Sequence, residues 1–271
     1  MRTGILSERH SMRAGHSKVD LSEQSESNKR GPALRYSVSI IMPVLNEATI
    51  IQDAINAVRI LRGNHELIIV DGGSDDGTFG LARDAVWADQ SCRLIISSPG
   101  RGNQQNAGAA IATGRAFLFL HADTRLPDSA IESIEQALAE PAIVGGNFKL
   151  RFDGPELASV IFTRLDSVRR WFGIYYGDSA IWARRDTFET IGGFTSCNLM
   201  EDYELCRSLE RAGRTVCFGE PVVTSARRWQ GDGVLKTLAI WIIIQWLYLL
   251  GVSPVCLAGL YRSNRYRVTS P

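Results

Sequence analysis

From Ser37 onward, continuous apolar stretches alternate with stretches in which apolar residues recur every three or four positions. Residues 38–43 form a largely apolar run, residues 47–61 carry the helical period, and residues 66–70 form a second apolar run. This is a strand, helix, strand order. It continues with a helix from Thr78, a short strand at 93–97, a helix over 103–112 and a strand at 116–120. Unbroken apolar strands are those covered on both faces. The order therefore predicts an α/β fold, a Rossmann-like, mostly parallel sheet with helices on each side.

Pro127 and Asp128 suit a helix start, and beyond them the pattern loosens. It gives a helix to about Leu138, a strand at 146–152, a helix over 155–170 and a Gly-rich, aromatic stretch. A short strand at 179–183, a helix over 200–212 and an apolar pair at 222–223 complete this more mixed half. Residues 237–261 carry no formal charge and include Trp241, Trp246, Tyr248 and Tyr261. A bilayer-spanning helix needs about 20 continuous apolar residues, and Gly251 with Pro254 divides this segment. It is expected as a helical C-terminal segment lying on a membrane surface or buried as a hairpin against the sheet. Arg262, Arg265 and Arg267 just beyond it suit anionic lipid at a cytoplasmic membrane face.

Composition sharpens the picture. Residues 1–35 are polar and charged with few apolar anchors, so they are expected to be a disordered leader. They lack the apolar core of a secretory signal, which points to the cytoplasm, at the inner face of the membrane if the apolar segment docks there. One principal domain is expected over 36–232, followed by the apolar segment 233–271. A formal net charge of +1 gives no basic face for a nucleic acid. The five cysteines are scattered and the four histidines are few, so a catalytic metal would rest on carboxylates and phosphate oxygens.

Three polar clusters follow three apolar runs directly: residues 43–47, 71–77 and 121–123. Ligands of open α/β sheets sit beyond the carboxyl ends of the strands, so these clusters should meet in one crevice. The segment 71–77 combines glycines, which let the backbone approach a ligand, with acidic side chains unsuited to bare phosphate. Asp71, at the strand end, suits a base or ribose in preference to an Asx turn, while Asp75 and Asp76 suit an Asx turn capping the next helix. Neither a dinucleotide nor a Walker phosphate loop is present, so a diphosphate would need a metal and arginines. Asp123 can hold Mg²⁺ or Mn²⁺ whose other positions go to diphosphate oxygens and water. His121 is then an extra ligand or a group directed at phosphate. Glu201 and Asp202 open a helix, where the dipole favours ionised carboxylates. Arg227, Arg228 and Trp229 form either a cation and aromatic group able to close over a diphosphate or a solvated basic turn. Gly177 and Asp178 line a sugar or acceptor pocket or form an ordinary turn.

The ordered series Ile41-Met-Pro-Val-Leu-Asn-Glu47, Ile69-Val-Asp-Gly-Gly-Ser-Asp-Asp-Gly77, Arg101 with Asn106-Ala-Gly108, His121-Ala-Asp123 and Met200-Glu-Asp-Tyr-Glu204 resembles family 2 glycosyltransferases of the GT-A fold. Within that family, His121-Ala-Asp-Thr124, Tyr176-Gly-Asp178, Leu199-Met-Glu-Asp202 and Thr224-Ser-Ala-Arg-Arg-Trp229 resemble the subgroup named for arsenosugar biosynthesis. The resemblance implies a nucleotide-diphosphate sugar donor, with Pro43 and Glu47 near the nucleoside, Asp71 on the base and Arg101 beside base or diphosphate. It also implies Mn²⁺ or Mg²⁺ on Asp123 and an inverting displacement in which Asp202, next to Glu201, is the general base toward a hydroxyl of a small-molecule or lipid acceptor. Asp71 suits uracil, hence a UDP-linked donor. His121 stands where the family's metal motif usually begins with Asp. Two rivals remain at this level: a nucleotidyltransferase, disfavoured because Val44-Leu-Asn-Glu47 replaces a Gly-rich basic loop, and a nucleotide-sugar-binding or scaffold protein without catalysis, disfavoured by Asp123 and Asp202.

Overall fold

The computed structural model describes residues 35–87, 89–153, 177–195 and 200–225, with scattered positions between 240 and 257. Four strands run parallel: β1 (Tyr36–Val44), β2 (His65–Asp71), β3 (Cys92–Ile96) and β4 (Gly114–Phe119), with β1 between β2 and β4. The crossovers are α1 (Ile51–Arg59), α2 (Thr78–Trp87) and α3 (Arg101–Ile111). Successive strand residues point to opposite faces. Val38, Ile40, Met42, Leu67, Ile69 and Leu118 join the core that α1 contributes through Ile51, Ala54, Ile55 and Val58. Ile41, Ile68, Val70, Phe117 and Phe119 join a second core on the other face, with Ala109 of α3. Both faces are covered, which is why these strands contain almost no polar position.

The rest of the sheet is built from β5 (Thr124–Arg125), β6 (Ile143–Asp153), β7 (Trp182–Arg184) and β8 (Arg214–Ser225), with helices α4 (Ala130–Leu138), α5 (Arg185–Thr190) and α6 (Glu201–Ala212). The strand order is β3-β2-β1-β4-β7-β6-β8-β5. β7 is antiparallel to β4 and β6, β8 is parallel to β6, and β5 is antiparallel to β8. The sheet is thus mixed α/β and mostly parallel, as the alternation implied. Two boundaries differ from the sequence reading. The strand expected at 179–183 starts only at Trp182, because Gly177–Ser179 is a 3₁₀ turn and Ala180 takes φ 51°. The apolar pair at 222–223 lies in the last part of a twelve-residue strand whose first eight residues are half-buried or exposed, their only apolar run being the short Val216-Cys217-Phe218. The helix read at 155–170 and residues 1–34 of the leader lie outside the described residues.

At the amino ends of the strands, buried Glu66 accepts hydrogen bonds from the Ser39 hydroxyl at 2.5 Å and from the Thr113 N–H at 2.6 Å, and pairs with Arg93. This network closes one end of the sheet with its polar atoms satisfied. The carboxyl ends are left for the polar clusters.

Candidate active site

The first two polar clusters are braced against each other. Val44, the last residue of β1, is in register with Asp71, the last of β2. The N–H groups of Asn46, Glu47 and Ala48 donate to Ser74 Oγ, Thr78 Oγ1 and Asp76 Oδ2 at 2.8–3.0 Å, and Asn46 Oδ1 accepts from the Asp75 N–H. Asp76 also accepts from the Thr78 N–H and hydroxyl, the Asx turn expected at the start of α2. The Thr78 hydroxyl first, then the Ala48 N–H, holds the Asp76 carboxyl below its ordinary pKa. Asp71 is buried, and its Oδ1 accepts the N–H groups of Gly73 and Ser74, both at 2.7 Å. Its Oδ2 is buried and makes no hydrogen bond, an acceptor left over after the loop has been folded.

Beneath this pair of loops lies a residue whose role the sequence concealed. Gln104, on α3, is buried and donates its amide to the carbonyls of Val44 and Val70, each at 2.8 Å. It staples the ends of β1 and β2 just below Asp71. Gln104→Leu is expected to destabilise the fold by about 1–3 kcal/mol through the carbonyls it deprives. That corresponds to a melting-temperature loss of roughly 2–12 °C for a domain of this size. An unchanged melting temperature in calorimetry would remove the staple from the account. Gln105 beside it is fully buried with neither amide atom hydrogen-bonded.

The third cluster meets residues from the second half of the chain. His121 is buried, with Nδ1 2.9 Å from Asp178 Oδ1, at ion-pair distance but not aligned as a hydrogen bond; its Nε2 makes none. Asp178 belongs to the 3₁₀ turn, which is held by a hydrogen bond from Asn147 Nδ2 to Ser179 Oγ at 2.8 Å. The N–H of Gly177 in the same turn donates to Asp202 Oδ2 at 3.1 Å. A Cβ at residue 177 would stand 2.5 Å from that oxygen, so any larger residue would displace the Asp202 carboxylate. Asp202 is buried, its Oδ1 makes no hydrogen bond, and it sits in the first turn of α6 behind Met200, whose backbone is left-handed at φ 68°. A non-glycine residue held there marks a conformation that the surroundings impose.

Arg101 opens α3 and reaches across to Glu201, Nε to Oε1 at 2.8 Å, with its own side chain 40% exposed and that of Glu201 3% exposed. Burial raises the Glu201 carboxyl above its ordinary pKa; Arg101 opposes that shift and Asp202 reinforces it. Gly102 allows this approach, since its Cβ would lie 3.1 Å from the Thr195 carbonyl oxygen and 3.8 Å from Glu201 Cβ. Asn106, one turn on, exchanges two hydrogen bonds with the backbone of Phe194 at 2.8 and 2.9 Å.

The structure therefore gathers the sequence-derived residues in two groups at the carboxyl edge of the sheet. Half-buried Pro43 and Glu47 accompany Asp71 on one side of β1. His121, Asp178, Arg101, Glu201 and Asp202 gather beyond β4. Asp123 lies in the turn between β4 and β5, its carbonyl oxygen accepting from the Ser225 N–H at 3.1 Å, and borders a cavity of about 190 Å³ shared with Asp53, Arg125, Asp153 and Thr224. Arg227, Arg228 and Trp229 fall outside the described residues.

A divalent cation suits this chemistry in part. Buried Nε2 of His121 is a nitrogen donor without a hydrogen bond, on a ring whose Nδ1 stands 2.9 Å from Asp178 Oδ1. In metal-bound histidine that second nitrogen donates to a carboxylate, an alignment not made here. Among the described residues no three His, Cys, Asp or Glu side chains form a cage, so the remaining positions of an ion on Asp123 and His121 would go to diphosphate and water.

The match to a known family covers the clusters from Pro43 to Asp178 and ends before Glu201 and Asp202. Residues 39–195 fit the model of the family described as Glycosyl transferase family 2, and the chain belongs to that family. It is 25% identical over 198 residues to the glycosyltransferase AglE of Haloferax volcanii, covering 69% of this chain and 65% of that one. It is 28% identical over 206 residues to the undecaprenyl-phosphate 4-deoxy-4-formamido-L-arabinose transferase of Aeromonas hydrophila, covering 72% and 61%. The chain thus spans less than two thirds of the length of either relative. In fold it is similar to a mannosyltransferase of Pyrobaculum calidifontis solved with GDP-Man and Mn²⁺, with a TM-score of 0.56 and 19% identity over 74% of this chain and 62% of that one.

Proposed function

We propose that this chain transfers a sugar from a nucleotide-diphosphate donor, UDP-linked by preference, to an acceptor hydroxyl with inversion, Asp202 acting as the general base. The observation that carries this reading is the state of Asp202. One carboxylate oxygen is fixed by the Gly177 N–H, the other is buried without a hydrogen bond, and the group stands at the positive end of α6. A base so held can take a hydroxyl proton without reorienting. Its neighbour Glu201 is engaged by Arg101 and fits a positioning role better than a proton-accepting one.

On the donor side, Asp71 would accept a hydrogen bond from the base through Oδ2, between loops carrying Pro43 and Glu47. Arg101 would lie beside base or diphosphate, Asp178 near the sugar, and Arg227, Arg228 and Trp229 over the diphosphate. Mn²⁺ or Mg²⁺, held by Asp123 and His121, would neutralise charge on the departing diphosphate. The GDP-Man and Mn²⁺ of the structural neighbour support a nucleotide-sugar and a metal in this fold, and the undecaprenyl-phosphate of the Aeromonas relative supports a lipid among the acceptors to test. The arsenosugar-type subgroup remains our proposal from the residue pattern alone, as does a cytoplasmic location.

A thermal-shift panel of UDP, GDP and dTDP, each with and without Mn²⁺, tests the donor reading. A ligand at a hundred times its dissociation constant stabilises the folded state by about 2.7 kcal/mol, roughly 5–11 °C here. UDP with Mn²⁺ should give the largest shift. No shift with any diphosphate would sink the proposal, and a shift with UTP, GTP or dTTP alone, run beside the panel, would favour a nucleotidyltransferase.

A further inference from the structure

The described positions between 240 and 257 present two unlike faces. Tyr248 turns inward: its ring meets Tyr203 of α6 edge-on at 5.6 Å between centroids, and its hydroxyl donates to Glu204. Ile244 and Leu257 are buried. Ile243, Trp246 and Leu250 are 56%, 62% and 76% exposed. Spacings of three and four place these three on one stripe of a helix, which ends at Gly251 with φ 88°. Isolated exposed apolar residues are ordinary, but three large ones in a row on one helix face point to a contact surface.

Charge selects the occupant. Residues 233–271 contain Lys236, Arg262, Arg265 and Arg267 and no Asp or Glu, a local charge of +4 that leaves −3 on everything before Gly233. Two copies of so basic a segment would repel each other, whereas an anionic surface attracts it. Among the described residues no helix is long and apolar enough to cross a bilayer. Trp246 has the amphipathic ring that settles at the headgroup level. We propose that the Ile243, Trp246 and Leu250 stripe docks on an anionic lipid surface, to which the positive charge of residues 233–271 draws it. Glu204, to which this helix is tied by its inner face, lies two residues from Asp202 on α6, so the docking helix itself rests on the catalytic helix proposed above.

The full chain is sedimented with vesicles of phosphatidylcholine alone and of phosphatidylcholine and phosphatidylglycerol in roughly equal parts, at low and high salt. Expected are binding to the anionic vesicles at low salt and release at high salt. Trp246→Glu with Leu250→Glu should lower partitioning at least roughly tenfold. Arg262→Glu, Arg265→Glu and Arg267→Glu together, a variant that leaves the stripe intact, should lower it roughly a hundredfold. The nucleotide thermal shift is run on the same samples, so failure of docking is distinguished from failure of the donor reading. No binding to anionic vesicles, equal binding to neutral ones, or undiminished binding by both variants overturns the proposal. So does a dimer by light scattering that the Trp246 and Leu250 substitutions dissolve.

Discussion

Asp202→Asn should leave nucleotide and donor binding intact and lower transfer by about two to four powers of ten, the usual contribution of a positioned base. The substitution is nearly isosteric, and the asparagine oxygen can still accept the Gly177 N–H that fixes the native side chain. The fold is therefore expected to persist. Removing a buried charge that has few partners is, if anything, neutral to stability. What is lost is the proton-accepting oxygen. Steady-state kinetics with a defined donor and acceptor, beside a thermal-shift control, reads both quantities. Near-normal turnover would move the base elsewhere, with Asp178 next in line because it faces His121 from the turn that carries Gly177. Glu201→Gln serves as the contrast. It breaks the pairing with Arg101 and should disturb binding as well as turnover.

The second large effect is expected at Asp123→Asn, with loss of Mn²⁺-dependent affinity for the nucleotide diphosphate. Asp123 supplies the single carboxylate of the turn from His121 to Asp123, and the described residues offer no carboxylate cage to replace it. Changing residues that merely support a metal ligand costs about ten- to a hundredfold in affinity, so loss of the carboxylate itself should exceed that range. Calorimetric titration of UDP with and without Mn²⁺ isolates the effect, since affinity in the absence of metal should be unaltered. Undiminished metal dependence in the variant would remove Asp123 from the ion's shell.

The ends of β1, β2 and β4 were legible because strands covered on both faces must be apolar throughout, so the first polar residue after each run marks the carboxyl edge of the sheet. Asp71 and the turn from His121 to Asp123 were found on that ground, and α1 by its apolar spacing. The start of β7 and the first part of β8 were not legible. One strand is three residues long, and the other pairs with β6 along its length while its first part buries only a portion of each side chain. The same limit applies within the site. The Gly177 contact with Asp202, the Arg101 pairing with Glu201 and the Gln104 staple join residues 25, 100 and up to 60 positions apart. Nothing in the local sequence of either partner announces such contacts. The signal that existed for Gln104 was a polar side chain on the same helical face as Gly108, whose Cβ would collide with Ile41 and Val70.

By sequence α3 belongs to the nucleotide-binding half, yet Arg101, Gly102 and Asn106 along its flank are fitted to Glu201, Thr195 and Phe194. A chimera designed to exchange acceptor preference between relatives cannot treat this helix as part of a neutral scaffold. If the graft begins after β4, the imported counterparts of residues 194–202 meet a flank shaped for different partners. A graft that carries α3 along instead brings a foreign residue to the position of Gln104 under Val44 and Val70. The helix is the shared spine of two otherwise separable specificities, and exchanging them requires its two faces to be redesigned independently.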